Sequence, residues 1–300
     1  MKDYQISLWN EACSPTKGPD IFGCSVHGLS LGRKWYDPEV CSIASWGNKL
    51  TGQVISGTCQ SVLNSLKGLP FTPAVCIALF RHGSGVDSFL RLFSLTMLNI
   101  PVIGGVASFL SGNSAGDLSP DGEDLTLFAV NNANFEINTL NIYDHTGISV
   151  EVKRKTDREF ELLKILPDGK WENALNFYHC QQETRGVDIN NFELITFADR
   201  DDRNLHFRSE GNALASGADL PDDNILFLKV TSREKAEKML AAFISDENSL
   251  VFGCAGIRSL LINPYYPGNN SLLVFMYGEV FTLSNKPMFG NLMLARLTMK

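Results

Sequence analysis

Two side chains in this 300-residue sequence stand where chemistry could be done: a cysteine and a glutamate, each directly after a run of apolar residues. Cys254 closes the run Leu250 to Cys254 and is followed by Ala255-Gly256. A small residue where a strand leaves a sheet lies at the end of the strand where open α/β sheets bind ligands. The thiol has two readings. It is a nucleophile if His27, His82 or His179 serves it as a base, and an inert core residue if it is simply buried. A nucleophile elbow does not fit, because Phe252 stands where that motif needs glycine. Glu279 follows Leu272 to Met276 and the Tyr277-Gly278 pair. A carboxylate there must be solvated, paired or bound, since burial alone is costly. Arg258 is the natural complement: it either neutralises Glu279 or holds a ligand carboxylate bidentately. Gly104-Gly105, after Pro101-Val102-Ile103, marks either a bulge or a close approach of backbone to a ligand.

One echo links the two ends of the chain. Ile21-Phe22-Gly23-Cys24 and Val251-Phe252-Gly253-Cys254 share an apolar residue followed by Phe-Gly-Cys. The echo suggests an internal duplication, with Cys24 and Ser25 placed like Cys254 at a strand end. The resulting ligand-binding candidates are Cys24, Ser25, Gly104, Gly105, Cys254, Arg258, Tyr277 and Glu279, with none assigned a catalytic role.

Other chemistries find little support. The five histidines, at 27, 82, 145, 179 and 206, show no metal-ligand spacing among themselves or with cysteine, and no metal or other cofactor is expected. Walker A and G-x-G-x-x-G motifs are absent. His82-Gly83-Ser84-Gly85 could offer backbone N–H groups to an anion but reads first as a strand-to-helix turn. A formal charge of -7, with no basic stripe, argues against nucleic acid as a partner. Seven cysteines without a C-x-x-C pair fit reduced thiols in a cytoplasm. Met1 to Asn10 lacks the apolar stretch of a signal peptide, and no run approaches the ~20 apolar residues of a membrane helix, so neither export nor a membrane is expected.

The elements that must position these residues follow from apolar periodicity. Ala74 to Phe80, Ile100 to Ala107, Leu125 to Val130, Ile225 to Val230, Leu250 to Cys254 and Leu272 to Tyr277 are short continuous runs, predicting strands buried on both faces. Helical spacing recurs over Val54 to Leu66, Val86 to Met97 and Ser232 to Ile244, the last opening on a Thr231/Glu234 capping box. Ile148 to Leu166 alternates around a polar centre and predicts a hairpin. The turn at Pro167-Asp168-Gly169-Lys170 precedes a helical stripe from Trp171 to Tyr178. Asp199 to Arg203, with both signs of charge, reads as a solvated loop. The fold class is α/β or closely mixed α+β, in two halves that each comprise a sheet with covering helices: residues 1–166 and 167–300.

The sequence also resembles the FIST sensory domain family. The stretches that carry the resemblance are Leu250 to Leu261 (LVFGCAGIRSLL), Met276 to Val280 (MYGEV) and Met288 to Leu297 (MFGNLMLARL), in the order of that family's C-terminal domain. Asp219 to Leu228, Ile100 to Ala107 and Gly23-Cys24-Ser25 add to it. Ile257 stands as an extra residue between Cys254 and Arg258 relative to the family's spacing. The resemblance implies a FIST N-terminal-like domain over 1–166 and a FIST C-terminal-like domain over 167–300. It also implies a non-enzymatic signal-transduction protein that binds a small ligand such as an amino acid between the halves and passes its output to a separate protein. The competing expectation is an acyl-transfer or hydrolase enzyme using Cys254 or Cys24.

Overall fold

The computed structural model describes residues 2–10, 21–22, 25–26, 28–31, 34–36, 43–81, 83–107, 124–131, 134–188, 192–261 and 267–300. The chain opens with β1 (Lys2–Asn10), β2 (Ile21–Phe22), β3 (Ser25–Val26), β4 (Gly28–Leu31), β5 (Lys34–Tyr36) and the long β6 (Ile43–Gly57). Next come α1 (Cys59–Lys67), β7 (Val75–Phe80), α2 (Val86–Thr96), β8 (Val102–Val106) and β9 (Leu125–Val130). After β10 (Phe135–Asn141), a hairpin pairs β11 (Asp144–Arg154) with β12 (Glu159–Ile165), and β13 (Glu172–Asn173) leads into α3 (Ala174–Thr184). Five strands follow: β14 (Ile195–Ala198), β15 (Asn204–Leu205), β16 (Phe207–Glu210), β17 (Ala213–Ser216) and β18 (Ile225–Val230). The chain ends with α4 (Arg233–Phe243), β19 (Ser249–Cys254), α5 (Ala255–Leu260), β20 (Leu272–Met276), β21 (Glu279–Leu283), β22 (Lys286–Gly290) and β23 (Met293–Met299).

The fold is mixed α/β, as the alternating runs imply, and the strands of the described residues form three sheets. Sheet A runs β2-β1-β6-β9-β7-β8-β21-β22, with β3 also on β1; sheet B runs β10-β23-β19-β20-β4-β5. Sheet C runs β15-β14-β18-β11-β12-β17-β16, with β13 also on β12. Sheets A and B pack face to face. Val75, Ile77 and Leu79 of β7 meet Leu250 and Phe252 of β19 and Val274 of β20 in one apolar layer. The alternate residues of β7, Cys76, Ala78 and Phe80, turn to α1, α2 and sheet C. Those of sheet B, among them Val251, Phe275 and Leu294, turn to α4 and α5. Burial on both faces explains why these strands read as unbroken apolar runs.

Each half thus has a helix-backed sheet, but the sheets do not follow the chain. β21 and β22, near the C-terminus, complete sheet A beside β8, whereas β4, β5 and β10 belong to sheet B. The boundary expected at 166/167 runs through sheet C, where β12 pairs with β13 and β17. No helix of the described residues is long and apolar enough to cross a membrane.

Several local expectations shift by a few residues. Val54 and Ile55 lie in β6 and not in a helix, since α1 begins only at Cys59 with the Thr58 hydroxyl capping the Ser61 N–H at 3.2 Å. Trp171 is exposed ahead of α3, whose cap is Asn173. The cap of α4 is Ser232, which accepts from the Lys235 N–H, while the Thr231 hydroxyl donates to the Ile142 carbonyl instead.

Candidate functional site

Two short crossings between sheets A and B create the site. The chain leaves sheet B at Met276, turns through Tyr277 and Gly278, and enters sheet A at Glu279. It returns from Gly290 through Asn291 and Leu292 to Met293. Both crossings use unusual backbone: Gly278 has φ +154°, and Leu292 has φ +59°, a left-handed conformation disfavoured for a branched side chain. A Cβ on Gly278 would lie 2.5 Å from the Phe289 ring, so the first crossing requires glycine.

Glu279 heads β21 in register with Gly105 of β8 on one side and Gly290 of β22 on the other. Its side chain is completely buried. Neither carboxyl oxygen makes a hydrogen bond of normal geometry; the donors that face them are the Cys254 thiol and the N–H groups of Met293 and of Glu279 itself. Burial outweighs these donors and raises the carboxyl well above its ordinary value.

Cys254 closes β19, is 4% exposed and forms the N-cap position of α5. Burial and the adjacent Glu279 charge hold its thiol well above the usual value, opposed by the N–H groups of Leu292 and Gly256. Tyr143 completes the neighbourhood. It is buried, donates to the Glu193 carbonyl at 2.5 Å, and is raised first by burial and then by the Cys254, Tyr178, Glu193 and Glu279 charges. The arrangement sets a buried thiol beside a buried carboxyl group, each raised chiefly by desolvation. The groups that act most on Cys254 are Glu279 and the Leu292 and Gly256 N–H groups, with no histidine among them.

The structure therefore brings Cys254, Glu279 and Gly105 together. Gly104 adjoins them, but for a packing reason: a Cβ there would sit 1.9 Å from the Ala78 carbonyl oxygen of β7. The Tyr277 N–H donates to the Val106 carbonyl at 3.1 Å, and its side chain packs on the core between sheets A and C. Arg258 is half-buried on α5 and is not among the groups that act on Glu279. Ser25 lies in β3 opposite Trp9. Cys24, Gly23, His27 and His82 lie outside the described residues. The flanks of the sequence echo differ in setting, because Ile21-Phe22 forms β2 at the edge of sheet A whereas Val251-Phe252 lies in the interior of sheet B.

The polar stretch Asp199 to Arg203 is a correction. Asp199 and Arg203 are 6% and 9% exposed and form part of a buried charge network that a reading of the loop as solvated misses. Arg203 donates to Asp199 at 2.7 Å, to the Asp219 carbonyl at 2.8 Å and to Asp87 of α2 at 3.2 Å. The available signal was Asp87 itself, an acid on the apolar side of α2 among Val86, Phe89 and Leu90. Among the described residues no three potential metal ligands converge. Comparison with models of known protein families gave no match, and comparison with curated proteins likewise gave none.

Proposed function

We propose that the chain is a small-molecule-binding sensory protein of the FIST type, acting in the cytoplasm, whose ligand is an amino acid or a similar polar metabolite carrying an ammonium group. The observation that supports this reading is Glu279: a wholly buried carboxyl group with both oxygens short of hydrogen-bond partners, at the point where the chain crosses between sheets. A buried unsatisfied group of this kind is unfavourable in the empty protein and is relieved by a ligand that donates to it. An arriving ammonium supplies well-aligned donors in place of the poorly aligned Cys254 thiol and backbone N–H groups and draws the carboxyl into its charged form. Because Glu279 and Cys254 lie on different sheets, such a change biases the packing of sheet A on sheet B, which a separate downstream protein can read.

The cysteine-enzyme reading is less well served. A nucleophilic thiol needs partial exposure and a lowered pKa, whereas Cys254 is buried and raised. Cys59, Cys76, Cys180 and Cys254 are free thiols, in keeping with a reducing compartment.

The test is a thermal-shift screen of amino acids and small amines at neutral pH, on the wild-type protein and on Glu279→Gln. A ligand at a hundred times its dissociation constant stabilises the wild type by about 2.7 kcal/mol. Glu279→Gln keeps the shape of the neutral carboxyl, folds, and loses that response. A ligand that stabilises both proteins equally, or a screen with no stabilising compound, refutes the proposal.

A further inference from the structure

A cleft of about 350 Å³ opens where α2, the β22 strand and the loops after β14 and β17 meet, on the side of β22 occupied by Arg203. Its walls are of two kinds. Leu90, Leu220, Pro221, Met288 and Phe289 give it an apolar side, and Asp87, at 7% exposure, supplies a buried carboxylate.

The charges around Asp87 do not balance locally. Arg203 makes its closest contact to Asp199, at 2.7 Å, and Arg158 to Asp219, at 2.8 Å. Lys286 is engaged by Asp201 and Arg91 by Asp222. These are four cations, each with its own aspartate, and Asp87 is the fifth acid. Asp87 accepts three hydrogen bonds, at 3.2 Å from Arg203, 3.4 Å from Arg158 and 3.2 Å from the Asp219 N–H, and each of the two guanidinium groups is shared with a nearer aspartate. These contacts serve both oxygens of Asp87, but the cleft lining sets four aspartates, Asp87, Asp199, Asp201 and Asp222, against three cations, Arg91, Arg203 and Lys286, and so carries one excess negative charge.

We propose that this cleft is a second binding site, for a free small organic cation whose ammonium group contacts Asp87 and whose hydrocarbon part lies on Leu90, Met288 and Phe289. An anion is disfavoured by the excess of acidic over basic side chains in the lining. A bare divalent ion is disfavoured because, among the described residues, no three potential metal ligands converge there. An alkylammonium of a few carbons satisfies both halves, with three N–H donors for the acid and methylene or aromatic surface for the wall.

The probe is phenethylamine, with phenethyl alcohol as its neutral counterpart and phenylacetate as its anionic one. Binding is read by saturation-transfer NMR and thermal shift on the full chain. The wild type is expected to bind the amine and neither counterpart. Asp87→Asn is expected to weaken amine binding by roughly tenfold or more, the scale of one charge-assisted bond. Ser94→Phe, which fills the cleft from the outer side of α2 without touching Asp87, is expected to abolish binding in a folded protein, so the test holds even if Asp87→Asn folds poorly. Glu279→Gln is expected to bind the amine as the wild type does. No binding by the wild type, an equal response to the alcohol or to phenylacetate, or unchanged affinity in Ser94→Phe overturns the site. Loss of amine binding in Glu279→Gln with retention in Asp87→Asn assigns the amine to the other site and also overturns it.

Discussion

Asp87 offers a direct measure of whether desolvation or ion pairing dominates the charge network. Its carboxyl is raised from 3.8 to about 6, chiefly by burial and then by the Asp219 charge; Arg203, the Asp219 N–H and Arg158 pull the other way and do not prevail. The sign follows from linkage. A group with a folded pKa above its unfolded value binds its proton more tightly when folded, so the stability it contributes is complete below about pH 4 and is lost as pH rises through about 6. With these two values the loss is about 1 kcal/mol by pH 4.5 and about 3 kcal/mol by pH 7, a change of about 2 kcal/mol across that window. Asparagine resembles the neutral acid and cannot titrate, so Asp87→Asn removes this component while leaving the other carboxylates in place. Urea unfolding of both proteins at several pH values between 4.5 and 7 gives the difference in stability directly. The wild type is expected to lose about 2 kcal/mol relative to Asp87→Asn over the window. A difference that stays constant, or a wild type that gains as pH rises, refutes the reasoning and shows that Arg203 and Arg158 outweigh desolvation.

Two further outcomes follow from packing. Gly104→Ala places a methyl group 1.9 Å from the Ala78 carbonyl oxygen, at φ +148°, and is expected to cost several kcal/mol or prevent folding, read as a collapse of the melting temperature; an unchanged melt refutes the close approach of β7 and β8. Alkylation of the native protein by iodoacetamide is expected to label exposed Cys180 well before Cys254 or Cys76, by peptide mass spectrometry, because burial raises both of the latter thiols. Early labelling of Cys254 would instead revive the nucleophile reading.

What the sequence disclosed is local, and what it withheld is pairing. The run Ala74 to Phe80 announces a strand buried on both faces, and β7 over Val75–Phe80 is one, because each face meets its own apolar layer. The carboxylate after Leu272 to Met276 announces a residue that needs explaining, and Glu279 is wholly buried. The partner was not legible. Arg258 seemed natural on charge alone, yet the group that faces Glu279 is Cys254, brought there because β19 and β20 are parallel neighbours whose ends coincide at Cys254 and Met276. No local pattern encodes that coincidence, since it depends on β21 joining sheet A while β20 stays in sheet B. The same holds for Asp199 and Arg203: four residues apart and of opposite sign, they look solvated until α2 supplies Asp87 from 116 residues away. An acid on the apolar side of an amphipathic helix is the trace such contacts leave in a sequence. Asp87 between Val86 and Phe89 is one, and a buried charge of that kind implies a buried counter-charge even before its partner is known.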